Sequence, residues 1–178
     1  MGTENKEAWL GYLALATVIF AVCATLSTFK WSSFSTLSVM SQSQASDQWA
    51  HFQSKGIKAY LYQMQAEKME IELMDLPMLS SRDTVRIYKS RVEDYKNRVE
   101  RYESEKAEIG VKAKQLEQVR DEAQLHANAF GRALIYLQIA ILLSSIAGLL
   151  KKKIIWYGGM GTGVIGLVCF VDGYVLFL

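Results

Sequence analysis

Three runs almost free of charge limit what this chain of 178 residues can fold into. Residues 9–29 and 133–150 hold no Asp, Glu, Lys or Arg, and residues 154–178 hold only Asp172. A helix of about 20 apolar residues crosses the roughly 30 Å of hydrocarbon in a bilayer. Most of the charge lies between Lys55 and Glu122. That remainder is too polar to wrap three fully apolar helices in a soluble shell, so the runs read as membrane spans and not as core helices. The first run does not read as a cleaved leader. Glu4, Lys6 and Glu7 precede it where a leader carries positive charge, and the run is too long.

The second and third runs are separated only by Lys151, Lys152 and Lys153. So short a connection makes their helices antiparallel. Three lysines in a tight loop resist translocation, which places the loop in the cytoplasm, with Trp156 and Tyr157 at the headgroups. Threading back, the amino terminus is expected in the cytoplasm, and 31–131 and the carboxyl terminus on the other side. Lys30, Arg120 and Arg132 on that opposite flank weigh against this orientation.

Between the spans, Pro77 is the only proline. It ends helix locally, and Ser81 is placed to cap the next helix, with Asp83 in the first turn. From there on, Val85, Tyr88, Val92, Tyr95, Val99, Tyr102, Lys106, Ile109, Ala113, Leu116, Arg120, Ala123, Ala127 and Phe130 alternate spacings of three and four. That alternation is a heptad seam, interrupted by Lys106 and Arg120. The phase continues through Leu134, Leu137 and Ile141, so one helix is expected to pass unbroken into the second span. Before the turn, Ile57, Tyr60, Met64, Ile71 and Met74 fit a seam, with Glu67 at the missing position. The expected fold is an all-α membrane protein with transmembrane helices over 9–30, 132–150 and 154–178. A long extramembrane antiparallel coiled-coil hairpin over 31–131, its tip near Pro77, joins the first two.

Few residues invite a chemical reading. Gln44, Asp47, His51, Lys55 and Lys58 recur at helical spacing and are expected on one face, flanked by Trp49 and Phe52. An acid one turn from a histidine can raise its basicity, and His126 could join to make a thin metal site. Neither a nucleophile nor a substrate pocket accompanies them, and a polar helix face meeting headgroups, water or a neighbouring subunit is the simpler account. Asp172 reads as interfacial, since it lies about 27 Å along a helix from Ile154; a buried ion-pathway residue is the other reading. Gly159 and Gly163 form a pair of small residues four apart. They either seat the third span on the first, with its Ala14, Ala16, Ala21 and Ala24, or mediate self-association. Cys23 and Cys169 fall inside spans and serve as small apolar residues. There is no nucleotide loop, spaced metal motif or nucleophile elbow. A net charge of +2 argues against nucleic acid.

The apolar run YLALATVIFAVCATLSTFK at 12–30, followed by QSQASDQW at 42–49 and FQSKGIK at 52–58, resembles the small bacterial membrane proteins of uncharacterised family 4337. The resemblance covers the whole layout and implies a bacterial inner-membrane location. It brings no catalytic positions. The chain is therefore expected to be no enzyme and to need no cofactor or metal, with the lipid bilayer and further copies of itself as partners. The first functional expectation is a homo-oligomeric structural or scaffolding membrane protein. The alternative is a subunit of a homo-oligomeric ion or small-solute channel. In either case Gln44, Asp47, Trp49, His51, Lys55, Lys58, Gly159, Gly163 and Asp172 are the candidates for assembly or gating.

Overall fold

The computed structural model describes residues 4–75 and 82–177. These form three helices, α1 (Glu4–Met74), α2 (Arg82–Leu150) and α3 (Lys153–Val175). Each contains an apolar window long enough to cross a bilayer. The separate extramembrane coiled-coil hairpin expected over 31–131 does not exist as a further element. Helix α1 runs unbroken for 71 residues and α2 for 69, so the expected arms are continuations of the helices that carry the first two windows. The physical reason is a scarcity of helix breakers. Between residue 30 and the end of α1, and from the start of α2 to residue 132, the breakers are Gly56, Gly110 and Gly131 alone. An interior glycine costs about 1 kcal/mol relative to alanine. A helix already nucleated absorbs that, because each further residue adds a hydrogen bond. The continuous passage of α2 agrees with the heptad phase running from Phe130 to Ile141. The turn expected at Pro77 and the Ser81 cap lie outside the described residues.

The chain divides into two compact units, Met1–Met40 with Val119–Leu178, and Ser41–Gln118. In the first unit, Phe20 and Ala24 of α1 pack with Leu137 and Ala140 of α2. A second cluster joins Trp9 and Leu13 to Ala147, with Trp156 of α3 against it. Apolar side chains also cover the outside: Tyr12, Leu15, Val18 and Phe29 on α1, Ile135 and Leu142 on α2, and Val164 and Val171 on α3 are exposed. A soluble monomer does not carry apolar surface on that scale, whereas lipid accepts it.

Since lipid tails are as apolar as leucine, close packing is what holds helices together in a membrane. Helix α3 achieves this with glycines at a period of seven. A β-carbon on Gly159 would meet Leu143 at 3.2 Å and the Ala140 carbonyl at 3.3 Å, one on Gly166 would meet Leu137 at 2.8 Å, and one on Gly173 would meet Phe130 at 2.7 Å. Gly163 faces the other way, and a methyl there would overlap the Phe20 ring. Between α2 and α3, Lys151 adopts a left-handed conformation with φ 53°. The Lys152 N–H closes the end of α2 by donating to the Ala147 carbonyl at 3.2 Å.

In the second unit, α1 and α2 run antiparallel. Lys55 pairs with Glu105, Glu70 with Lys96, and Trp49 donates to Glu117 at 2.9 Å. The α2 seam read from sequence is the covered stripe here, with Val92 and Ala113 buried and Tyr95, Val99, Tyr102, Lys106 and Ile109 partly so. The α1 seam is a different one from that expected. Its covered positions are Ser41, Ala45, Phe52, Lys55, Ala59, Tyr62, Ala66, Met69 and Leu73, while Ile57, Tyr60, Met64, Ile71 and Met74 are exposed. Small residues won the inner face because they let the helices approach closely. Ala45, Ala59 and Ala66 are each at most 4% exposed, and Tyr62 fills the remaining space by stacking on Tyr102 at 5.7 Å. The break at Lys106 is accommodated by the glycine across from it. A β-carbon on Gly56 would lie 3.7 Å from the Lys106 chain, whose ammonium pairs with Glu103 at 2.9 Å and lies over Phe52.

Candidate functional site: a buried carboxylate and its polar layer

Among the described charged residues, Asp172 is the one that is fully buried, at 0% exposure. It sits in the last turn of α3, whose 23 residues span about 34 Å. That slightly exceeds the hydrocarbon thickness and puts Asp172 near one boundary. Taking a carboxylate out of water costs several kcal/mol unless its oxygens are satisfied. Here both are engaged. Arg132 of α2 donates from Nη2 to Oδ2 at 3.1 Å, and the Phe177 N–H donates to Oδ1 at 2.8 Å. The Asp172 backbone carbonyl accepts from the Leu176 N–H at 2.7 Å, where Leu176 takes the left-handed conformation that ends the helix. One residue therefore caps α3 with its main chain and side chain together and ties that end to α2. The Arg132 side chain remains 52% exposed, so its charge stays in contact with a polar medium.

Further polar contacts surround this pair. His126 Nδ1 lies 2.8 Å from the Gly173 carbonyl, consistent with an Nδ1–H donor at the negative end of the α3 dipole. Its ring stacks on Phe34 of α1 with centroids 4.7 Å apart. Lys30 of α1 lies over the Tyr174 ring at 5.6 Å. Ser38 donates to Gln124 at 3.2 Å, and Gln124 to Asn128 at 3.0 Å. All three helices are thus joined through polar groups at the turn that closes α3. Chemically the layer is a clamp. No cluster of three or more His, Cys, Asp or Glu suited to a metal occurs among the described residues.

The other candidates fall elsewhere. Gln44, Asp47, His51 and Lys58 are exposed, whereas Trp49 and Lys55 turn inward to Glu117 and Glu105. Helix α1 is unbroken through this stretch, so these residues keep one face, with Lys55 at its covered side and the others exposed beside the inner stripe. The hydrogen bond from Lys55 holds the Glu105 carboxyl below its ordinary value, against some desolvation. Gly159 packs on α2 and Gly163 on α1, so both serve contacts within the protomer. The residues missed as a site were Arg132 and His126 as partners of the α3 end. A signal was available: Arg132 and Asp172 lie equally far on either side of the three-lysine connection, so an antiparallel pair brings them to one level.

Three helices with lipid-compatible surfaces, two of them joined by a short lysine loop and clamped at the far end, define an all-α, multi-pass membrane protein. The chain belongs to the family described as domain of unknown function 4337 (DUF4337), whose model matches residues 9–176. No curated protein and no solved structure matches the chain.

Proposed function

We propose that this is a structural membrane protein that works as a homo-oligomer, without a catalytic step. Its first unit anchors in the bacterial inner membrane with the lysine connection on the cytoplasmic side, and its second unit presents helix surfaces to other copies. One observation carries this reading. The inner contact of the second unit buries Ala45, Ala59 and Ala66 beside Phe52, Tyr62 and Leu73, and leaves a second set of large apolar residues, Ile57 at 62% and Ile71 at 61% among them, uncovered. Large apolar residues at heptad spacing on an outer face are what helix association uses. The self-packed glycines of α3 support the same division, since that helix spends its close-approach positions within the protomer.

Particle mass in mild detergent tests the reading. A multiple of the 20.1 kDa chain is expected, and a clean monomer at all concentrations overturns it. The channel alternative draws less support, because Asp172, its most suitable gating residue, has both oxygens bound within the protomer. Labelling of a Lys152→Cys variant in intact cells tests the orientation. Protection from an impermeant maleimide is expected, and labelling from outside reverses the topology.

A further inference from the structure

Helix α1 carries two heptad stripes on opposite sides of the second unit. The inner one, through Ala45, Phe52, Ala59, Ala66 and Leu73, meets α2. The outer one runs Ile57, Tyr60, Met64, Glu67, Ile71 and Met74, alternating spacings of three and four, and all six are exposed. A single seam is enough to hold a helix to one partner; a second seam on the opposite face has geometry for another helix. We propose that the outer stripe is the contact between copies, with the α1 helices of two protomers paired in parallel along it. The proposal rests on the oligomeric reading above and names its surface.

A second copy of this chain is the occupant that fits. Copies inserted by the same span meet with α1 running the same way, which selects a parallel pair. In parallel heptad packing, a residue at the second core position inserts beside the partner's equivalent residue and the one next to it in the chain. The interruption in this stripe is Glu67, and its successor is Lys68. Each copy thus sets its Glu67 beside the other's Glu67 and Lys68, so the one charge that breaks the stripe finds an opposite charge across the pair. At the neighbouring levels the same rule sets Tyr60 beside Leu61, both apolar and exposed. Within the protomer these groups have only local, solvent-exposed partners: Gln63 donates to Glu67 at 3.0 Å, and Lys68 lies 3.7 Å from Glu72. Both can be exchanged at little cost.

The test uses the full chain in lipid nanodiscs or liposomes, with Cys23 and Cys169 replaced by alanine. Cysteines placed by Met64→Cys or Ile57→Cys are expected to cross-link between protomers with a short bifunctional maleimide, and Gln65→Cys, on another side of α1, is not. Met64→Glu should weaken association about tenfold or more while helicity is unchanged. Glu67→Lys should weaken it too, and adding Lys68→Glu should restore it. Equal cross-linking at 64 and 65, or no rescue by the double exchange, overturns the proposed register. An oligomer that ignores Met64→Glu overturns this contact and leaves the oligomeric reading standing, whereas a monomeric wild type overturns both. Quenching of a fluorophore at position 64 by brominated acyl chains assigns the stripe to the bilayer and overturns the pairing.

Discussion

Replacing Gly166 with alanine probes α3 where its packing has least room to adjust. The added methyl would sit 2.8 Å from Leu137 Cγ and 3.0 Å from the Leu137 backbone nitrogen, against the roughly 3.5–4.0 Å at which non-bonded carbons rest. A new Leu137 rotamer relieves the first contact only. The nitrogen belongs to the hydrogen-bonded ladder of α2, so the two helices must part by about 0.5–1 Å. A gap of that size forfeits a quarter to a half of the dispersion energy between facing atoms, and overpacking of this kind costs about 1–3 kcal/mol. Alanine returns about 1 kcal/mol in helix propensity, leaving a net loss of about 0–2 kcal/mol. Gly161 supplies the control, because a β-carbon there meets nothing within 4 Å. Gly161→Ala should be neutral or stabilising by up to about 1 kcal/mol. Unfolding by titration of a denaturing detergent into mixed micelles, monitored by helicity, should separate the two variants by about 1–3 kcal/mol, since the propensity gain is common to both. Equal stability of the two, or a gain at Gly166, refutes the close packing of α3 on α2.

The clamp predicts an asymmetry. Arg132→Ala takes the arginine donor from the buried Asp172 carboxylate and should cost more than Asp172→Asn, which leaves a half-exposed arginine; thermal midpoints in micelles rank them. In the second unit, Glu105 has a folded pKa below its ordinary 4.5 because Lys55 hydrogen-bonds it. Its contribution is therefore complete above the unfolded value and lost as the pH falls through the lower folded one. An acid titration of thermal stability should show that loss below the ordinary glutamate range, and Lys55→Met should remove it. Gly56→Ala places a methyl at ordinary contact with Lys106, 3.7 Å away, and should raise thermal stability by up to about 1 kcal/mol. A drop there would show that the Lys106 chain needs the space. Lys151→Gly should likewise stabilise by about 1 kcal/mol, since the left-handed conformation is costly for lysine.

How far the sequence discloses this fold depends on what kind of signal each part leaves. The apolar runs are legible because crossing a bilayer needs an unbroken length of uncharged residues, and nothing in the surrounding chain can imitate it. The α2 stripe is legible for a related reason: Val85 through Ile141 keeps one phase, and large residues mark the covered side for most of that length. Helix α1 misleads because size and burial part company there. Ile57, Met64 and Ile71 make the stronger apolar stripe, yet Ala45, Ala59 and Ala66 allow the closer approach and take the inner face. Its polar face from Gln44 to Lys58 follows from helical spacing alone, whereas the inward turn of Lys55 to Glu105 depends on α2 and leaves no local signal. The α3 end shows a different limit. Asp172 stands out in an apolar run at once, whereas its partners Arg132 and His126 lie far away in sequence and become neighbours only through the antiparallel return of α3.

Association between copies of this chain is the central claim, and native mass spectrometry of the wild-type protein released from lipid nanodiscs measures it directly. Integer multiples of 20.1 kDa are predicted, persisting on dilution and falling toward the single chain in the Met64→Glu variant. A wild-type spectrum containing only the single chain contradicts it.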